Sequence, residues 1–244
     1  MVKILSIGNS FSQDAHKWLH SIAKADGIEI LTKNLYIGGC SLEQHWNNFE
    51  ICADLYSYEH NGITEHMPHS SIQAALNAED WDIITVQQQS GRAGRYDSYI
   101  PYLPKLIENI KNICPNAALW FHETWEYENG SVHPDFPFYE NNSDIMYGMI
   151  YATSHTITER YGLSLIPSGE AVHDIKKLDE FIPSKGGISI YRDAFHMNFI
   201  YGRMLLGYLW YKKLIGISPL NNTFVPEGAD KALLKLLQVT ADKF

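Results

Sequence analysis

The chain has 244 residues, of which 45% are hydrophobic and 19% charged, and its formal net charge is -9. This composition is typical of a globular protein with a sizeable core, and the acidic balance argues against a nucleic-acid partner, which would need a basic surface. No segment approaches the length of a membrane span, so no membrane partner is expected. The widely spaced cysteines Cys40, Cys52 and Cys114 fit neither a disulfide framework nor a zinc ribbon.

Short apolar runs alternate with helical patterns along the chain. Strands are predicted at 2–7, 28–37, 81–87, 116–123 and 162–169, and helices at 14–25, 98–113, 143–161, 195–215 and 229–242. This alternation predicts one α/β domain over residues 1–244, with a three-layer α/β/α architecture and about five parallel strands. The polar segments 41–80 and 124–142 lack a clear period and follow strand ends, where an open parallel sheet binds its ligands.

The first strand runs into the loop "IGNSFS", which has two serines before a helix. Ser10 and Gln13 fit a capping box, and Ser12 fits the cap of a helix that starts at Gln13. A phosphate site is less favoured, because the loop has no glycine-rich phosphate motif and no basic residue nearby. The third interpretation, a nucleophilic serine, requires a base and an acid elsewhere in the chain.

The stretch "YRDAFHMNFIYG" before the C-terminal helix supplies such a pair, Asp193 and His196. At a spacing of three residues, the carboxylate can bind one imidazole nitrogen and leave the other facing outward. An aspartate bound in this way fixes the imidazole tautomer and stabilises the imidazolium that forms when a serine loses its proton. In the alternative interpretation, Asp193 caps the helix and His196 is an incidental residue of its first turn.

Together these blocks resemble the SGNH (GDSL-type) hydrolases, in a divergent branch whose first block reads GNSFS. The resemblance implies a flavodoxin-like SGNH-hydrolase architecture with Ser10 as the nucleophile, His196 as the base and Asp193 as the acid. It also implies an oxyanion hole that includes the Ser10 backbone N–H and Gly39 of "NLYIGGCSL". Asn9 stands where the family usually has aspartate.

The third block departs from the family pattern, because the strand end reads "TVQQQSG" in place of GxND. A glutamine carboxamide can donate to an oxyanion as an asparagine can. Gln88 is the favoured donor and Gln87 the next, although the pattern leaves open whether Gln87, Gln88 or Gln89 replaces the asparagine.

Four residues are candidate substrate contacts: Asn9, Ser90, Trp125 and Tyr127. Trp125 and Tyr127 fit an aromatic wall for a sugar ring, and equally a hydrophobic segment that packs on the helix at 143–161. The segment with His60, His66 and His69 lacks the spacing of a metal site, so solvated or substrate-facing histidines are favoured over metal ligands. Neither a metal nor a cofactor is expected.

The sequence therefore predicts a serine hydrolase that cleaves small acyl esters, with acetylated carbohydrates favoured. The competing hypotheses are a non-catalytic carbohydrate-binding module on the same fold and a flavodoxin-like binder of phosphate or flavin. The partner expected is a small-molecule or glycan ester, while the oligomeric state is left open. Because the chain opens into a strand with no signal-peptide pattern, we expect a soluble protein, cytoplasmic as written and exported if a leader has been removed.

Overall fold

The apolar runs of the sequence form one sheet of seven strands. The structure is a computed structural model that describes the backbone of residues 1–244 and all side chains except those of residues 65–68. The strands are β1 (Val2–Gly8), β2 (Ile30–Tyr36), β3 (Tyr56–His60), β4 (Ile63–Ser70), β5 (Ile83–Val86), β6 (Ala118–His122) and β7 (Ser164–Ile166). Their order in the sheet is β4-β3-β2-β1-β5-β6-β7.

The five predicted strands form the parallel block β2-β1-β5-β6-β7. This is the flavodoxin-like order, in which the chain reverses direction across the sheet between the first and third parallel strands. Here that switch point lies between β1 and β5, which pair from Ile4 with Ile83 to Ile7 with Val86. The predicted α/β class and the parallel sheet are confirmed.

Helices cover both faces of the sheet. They are α1 (Ser10–Ala25), α2 (Leu42–Glu50), α3 (Ile72–Leu76), α4 (Tyr102–Ile113), α5 (Ser143–Tyr161), α6 (Ser168–Ile175), α7 (Tyr201–Ile215) and α8 (Lys231–Asp242). One apolar core joins α1, α6, α7 and α8 to the sheet, and a second joins α2, α3 and α4 to the opposite face. None of the helices among the described residues combines the length and apolar character that crossing a bilayer requires.

The segment 41–80 is more ordered than the sequence indicated. It contains α2, α3 and the antiparallel pair β3 and β4, which extends the sheet beyond β2. The strand pattern was hidden because the hairpin is polar: Glu59 in β3 is buried and accepts hydrogen bonds from Asn34 at 2.8 Å and Thr64 at 3.0 Å.

Two helices start several residues later than predicted. The segment predicted as a helix over 98–113 begins with a short 3-10 turn at Tyr96–Tyr99, and α4 itself starts at Tyr102. The helix predicted over 195–215 starts only at Tyr201, because the Asn198 side chain accepts from the Ile200 and Tyr201 amides and ends the preceding loop. His196 therefore lies outside α7.

Among the histidines whose side chains the structure describes, three are buried in the interior. His16 binds Ser6 at 2.7 Å, His122 binds Gln87 at 2.8 Å and His45 binds Tyr56 at 2.9 Å. Burial lowers the pKa of each imidazole from 6.5 to about 3. All three are therefore neutral in the folded protein and take up a proton when the chain unfolds in mild acid.

We expect stability to fall steeply with acid. The stabilisation that comes from the lowered pKa values is complete above pH 6.5 and is lost as the pH falls toward 3. Below pH 6.5 three such groups contribute a loss of about 4 kcal/mol per pH unit, which Glu123, with a pKa raised to about 8 by burial, offsets by about 1.4 kcal/mol per pH unit. Urea unfolding at pH 7, 6 and 5 measures the net slope, and in His122→Gln the loss should be smaller by about 1.4 kcal/mol per pH unit. An unchanged slope in that variant would contradict this explanation.

Candidate active site

Ser10 is the first residue of α1, and its hydroxyl takes no part in capping that helix. The N-cap is Asn9, whose side-chain oxygen accepts from the Phe11 amide at 3.0 Å. Ser12 completes the capping box by accepting from the Asn9 amide at 3.1 Å. The predicted box of Ser10 with Gln13 is therefore wrong, as is a helix that starts at Gln13, because the helix begins three residues earlier.

Asn9 also connects the three loops around Ser10. Its side-chain NH2 donates to the Cys40 carbonyl at 3.0 Å, and its oxygen accepts from Gln87 at 2.7 Å. The turn after β2 and the segment after β5 are thereby attached to the start of α1. Since Asn9 is 1% exposed and its hydrogen-bonding atoms are occupied, the prediction that it contacts substrate does not agree with the structure.

The structure brings Ser10, His196 and Asp193 into hydrogen-bond contact across 186 residues. His196 Nε2 lies 2.8 Å from Ser10 Oγ, and His196 Nδ1 lies 2.7 Å from Asp193 Oδ2. Asp193 Oδ1 accepts from the His196 amide at 2.7 Å. Partial burial acts to raise the pKa of Asp193, but the hydrogen bonds from His196 outweigh it and hold that pKa below 3.8.

A tight turn presents the acid and the imidazole. Tyr191 and Met197 form an antiparallel bridge, and the Arg192 amide donates to the His196 carbonyl at 3.0 Å. Ala194, at the tip, has a φ of 69°, in the left-handed region that residues with a Cβ rarely adopt. Asp193 caps this turn and not α7, so the alternative interpretation of the Asp193–His196 pair is wrong.

The turn is attached to α1 by a buried carboxylate that the sequence analysis missed. Asp14 is 0% exposed and accepts from Arg192 Nη1 at 2.9 and 3.0 Å, from Arg203 Nε at 2.8 Å and from the Met197 amide at 3.0 Å. The available signal was an acidic residue on the apolar face of an amphipathic helix. Asp14 lies one helical turn after Ser10, so it fixes the turn opposite the serine.

Two backbone amides face the loops beside Ser10. The Ser10 N–H is the first of α1, where helix geometry leaves amides without an internal partner. Gly39 lies in the turn after β2 with a φ of 64°, a conformation that suits glycine. Within the part of the chain that the structure describes, neither amide donates a hydrogen bond. Both can therefore donate to a ligand oxygen.

The side chains of Gln87 and Gln88 are occupied by other contacts. Gln87 binds Asn9 and His122. The Gln88 NH2 donates to the Ser98 carbonyl and hydroxyl, both at 3.0 Å, and both residues are 1% exposed. Both N–H donors of Gln88 are therefore used, which does not agree with its predicted role as the third oxyanion donor. Gln87 uses one N–H on Asn9, and its burial does not favour the same role.

Among the three glutamines of this block, Gln89 has the side-chain NH2 with the weakest hydrogen bonding. It is partly exposed, and its NH2 makes one long contact, 3.4 Å to Asp135 Oδ2. The Asp135 amide donates to His133 at 3.2 Å, and the His133 ring packs 5.1 Å from Phe195, next to His196. Gln89 is therefore connected, through Asp135 and His133, to the turn that carries His196.

The predicted aromatic wall is part of the interior. Trp125 and Tyr127 are 0% exposed, and Trp125 stacks on Phe11 with ring centroids 4.2 Å apart. Trp125 also donates to the Phe195 carbonyl at 2.7 Å, and Tyr127 binds the Ser90 hydroxyl at 2.8 Å. These three residues support the turn with His196, so the prediction that they contact substrate does not agree with their burial.

The histidine-rich segment forms no metal-ligand cluster among the side chains that the structure describes. His60 lies in β3 and His69 in β4, and neither belongs to a group of three convergent ligands. The side chain of His66 lies outside the described residues.

Comparison with known proteins assigns the chain to a family. Residues 3–242 match the family described as a domain of unknown function, DUF4886. The chain belongs to this family. A DUF4886 protein from Bacteroides uniformis is 35% identical and superposes with a TM-score of 0.92 over 99% of this chain and 93% of that one. A search of curated proteins finds no match.

More distant solved structures identify the fold of this DUF4886 chain. A candidate SGNH hydrolase from Slackia heliotrinireducens is 20% identical, with a TM-score of 0.62 over 87% of this chain and 98% of that one. An acetylxylan esterase from Geobacillus stearothermophilus, Axe2, is 13% identical, with a TM-score of 0.59 over 91% and 97%. At these identities the likeness shows the fold, and the SGNH-hydrolase fold is confirmed.

Loss of the Asp14 charge should destabilise the protein and disturb the His196 turn. Asp14→Asn leaves the partly buried Arg192 and Arg203 side chains without their shared counter-charge, and we expect a cost of about 3 kcal/mol, the lower end of the range for fully buried pairs. Urea unfolding measures that cost, and the ¹⁵N shifts of the His196 ring report its hydrogen bond to Ser10.

The matched control is Asp179→Asn, which removes an exposed ion pair with Lys185. Exposed pairs contribute about 0–1 kcal/mol, so this variant should unfold almost as the parent does. An equal fall in the free energy of unfolding of the two variants would show that Asp14 contributes no more than an exposed ion pair.

Proposed function

We propose that this DUF4886 protein is a serine ester hydrolase. The observation that carries the proposal is the continuous chain of hydrogen bonds from Ser10 Oγ through the two ring nitrogens of His196 to Asp193, at 2.8 and 2.7 Å. Such a chain lets the imidazole take the serine proton while the carboxylate stabilises the imidazolium. A serine at the N-terminus of a helix also lies where the helix dipole favours negative charge.

In the proposed reaction, Ser10 Oγ attacks the ester carbonyl carbon as His196 Nε2 takes the hydroxyl proton. The tetrahedral intermediate collapses, the bond to the leaving alkoxide breaks, and His196 returns its proton to that oxygen. Water then attacks the acyl-enzyme, with His196 again accepting a proton. Collapse of the second intermediate releases the carboxylic acid and restores the Ser10 hydroxyl.

The developing oxyanion is proposed to bind the Ser10 N–H, the Gly39 N–H and the side-chain NH2 of Gln89. Donors of this kind act most strongly when they are held in place before charge develops. The links from Asn9 to Cys40 and Gln87 supply that rigidity, because they attach the loops of the first two donors to each other and to β5. Gln89 is chosen because its amide is the least committed of the three.

The proposed substrates are small acyl esters, with acetylated carbohydrates the first class to test. The support is that Axe2, which shares the fold, is named as an acetylxylan esterase. The buried positions of Trp125 and Tyr127 lend no support to a sugar-stacking wall. The preference for carbohydrate therefore depends on the likeness to Axe2 and not on those aromatic side chains.

The two serines of the opening loop give a matched test. Ser10→Ala should lower kcat/KM for an aryl acetate by about 10⁴-fold or more, and should abolish covalent labelling by a fluorophosphonate. Ser12→Ala should keep the labelling and the hydrolysis while losing about 1–3 kcal/mol of stability, because it removes half of the capping box and the 2.8 Å hydrogen bond to the buried Asn34 oxygen.

Retention of full activity by Ser10→Ala would refute the proposal. A parent protein that binds acetylated oligosaccharides but resists the fluorophosphonate would indicate a binding module in place of an enzyme, because labelling requires an activated serine.

The choice of Gln89 leads to a separate prediction. Gln89→Ala should lower kcat by about 10²–10³-fold with a much smaller change in KM, as expected for a contact made in the transition state. The fold should tolerate it, since the side chain makes one long hydrogen bond. Kinetics with an aryl acetate measure the effect.

Gln88→Ala is the comparison variant. Because its buried amide bonds Leu42, Gln89 and Ser98, this substitution should lower the thermal midpoint more than the kcat of the folded enzyme. Full kcat in Gln89→Ala would exclude it as an oxyanion donor.

A further inference from the structure

A cluster of metal-ligating side chains lies outside the proposed catalytic site. Glu123 directly follows β6, His155 lies in α5 and Glu170 lies in the first turn of α6. One ligand atom from each side chain lies within 4.8 Å of the other two. His155 Nε2 and Glu170 Oε1 are 3.1 Å apart. Three separate elements therefore direct one imidazole and two carboxylates to a single point.

The two carboxylates of this cluster lack a permanent cation. Glu123 is 0% exposed, and its oxygens accept from the Ser154 hydroxyl and the Glu170 amide. Among the side chains that the structure describes, no lysine or arginine nitrogen lies within 4.0 Å of either carboxylate.

A second buried glutamate nearby, Glu126, shows how the protein neutralises such a carboxylate. Glu126 is also 0% exposed and binds an imidazole, that of His173, at 3.1 Å. It differs in that Lys176 Nζ lies 2.8 Å from the same oxygen. Glu126 thus has a lysine ammonium beside it. Among the described side chains, Glu123 has no such cation but has His155 and Glu170 close by.

We propose that Glu123, His155 and Glu170 bind a divalent transition-metal cation, with Zn²⁺ as the first candidate. An imidazole with carboxylates suits transition metals better than Ca²⁺ or Mg²⁺, which prefer oxygen ligands alone. A tetrahedral Zn²⁺ with bonds of about 2.1 Å separates its ligand atoms by about 3.4 Å. The 3.1 Å between His155 Nε2 and Glu170 Oε1 is close to that value, and all three separations are 4.8 Å or less. Partial exposure of His155 leaves a route for the ion and for a water as fourth ligand.

The site fits a structural role. The cation joins the end of β6 to α5 and α6, and the segment from Glu123 continues to Trp125, which donates to the Phe195 carbonyl. Binding there would stabilise the support of the His196 turn without touching the reacting atoms. The inference is independent of the proposed hydrolase function, because its test measures binding.

The test uses the full chain after dialysis against EDTA. Calorimetric titration with ZnCl2 should show one site per chain, and Zn²⁺ should raise the thermal midpoint. Mn²⁺ should bind more weakly, and Ca²⁺ and Mg²⁺ should leave the midpoint unchanged. His155→Ala and Glu170→Gln should weaken Zn²⁺ binding by more than about 100-fold, the upper range for losing an outer-shell partner.

The matched control is His173→Ala, which removes a histidine from the adjacent pair and should bind Zn²⁺ as the parent does. Absence of Zn²⁺ and Mn²⁺ binding in the parent would overturn the proposal. Equal binding by His155→Ala and the parent would overturn it too, because the ion would then lie elsewhere. Both test variants alter partly exposed side chains, so loss of binding can be separated from loss of folding.

Discussion

The buried charge of Asp14 determines where the acid and the imidazole stand relative to the serine. Its carboxylate is shielded from water, so it depends on Arg192 and Arg203 for compensation. Arg192 immediately precedes Asp193, which means that the ion pair fixes the backbone beside the acid. Because Asp14 and Ser10 share α1, one interaction sets both sides of the candidate site. The geometry of the candidate site is therefore part of the fold itself.

The contacts of Asn9 explain one departure of this sequence from the SGNH pattern that it resembles. The amide accepts hydrogen bonds on its oxygen from Phe11 and Gln87, and donates from its nitrogen to the Cys40 carbonyl. An ionised aspartate can accept but cannot donate, so it would leave that carbonyl facing a negative charge. The Gln87 amide, which follows β5, thus supplies the donor that the Asn9 oxygen accepts. The absence of a GxND block and the presence of Asn9 belong to the same hydrogen-bond arrangement.

The sequence was sufficient for the parallel sheet and for the Ser10, Asp193 and His196 set. Apolar runs identify strands, and residues that follow parallel strands meet at one edge of the sheet. The sequence could not predict which of the three glutamines keeps an available side-chain amide, because a pattern does not give side-chain directions in a loop. The polar hairpin of β3 and β4 lacked an apolar signal. The Glu123 cluster comes from three distant segments, so no local spacing indicates it.

In the loop before α1, the residues that cap the helix differ from the residue that contacts His196. Asn9 and Ser12 stabilise the start of α1, while the Ser10 hydroxyl binds His196 and no other side chain that the structure describes. Replacement of the Ser10 hydroxyl would therefore leave the cap of the helix in place. Loss of this hydroxyl and loss of the fold are thus separate events. A relative that shares the fold need not share the serine, so its sequence at this position has to be read directly.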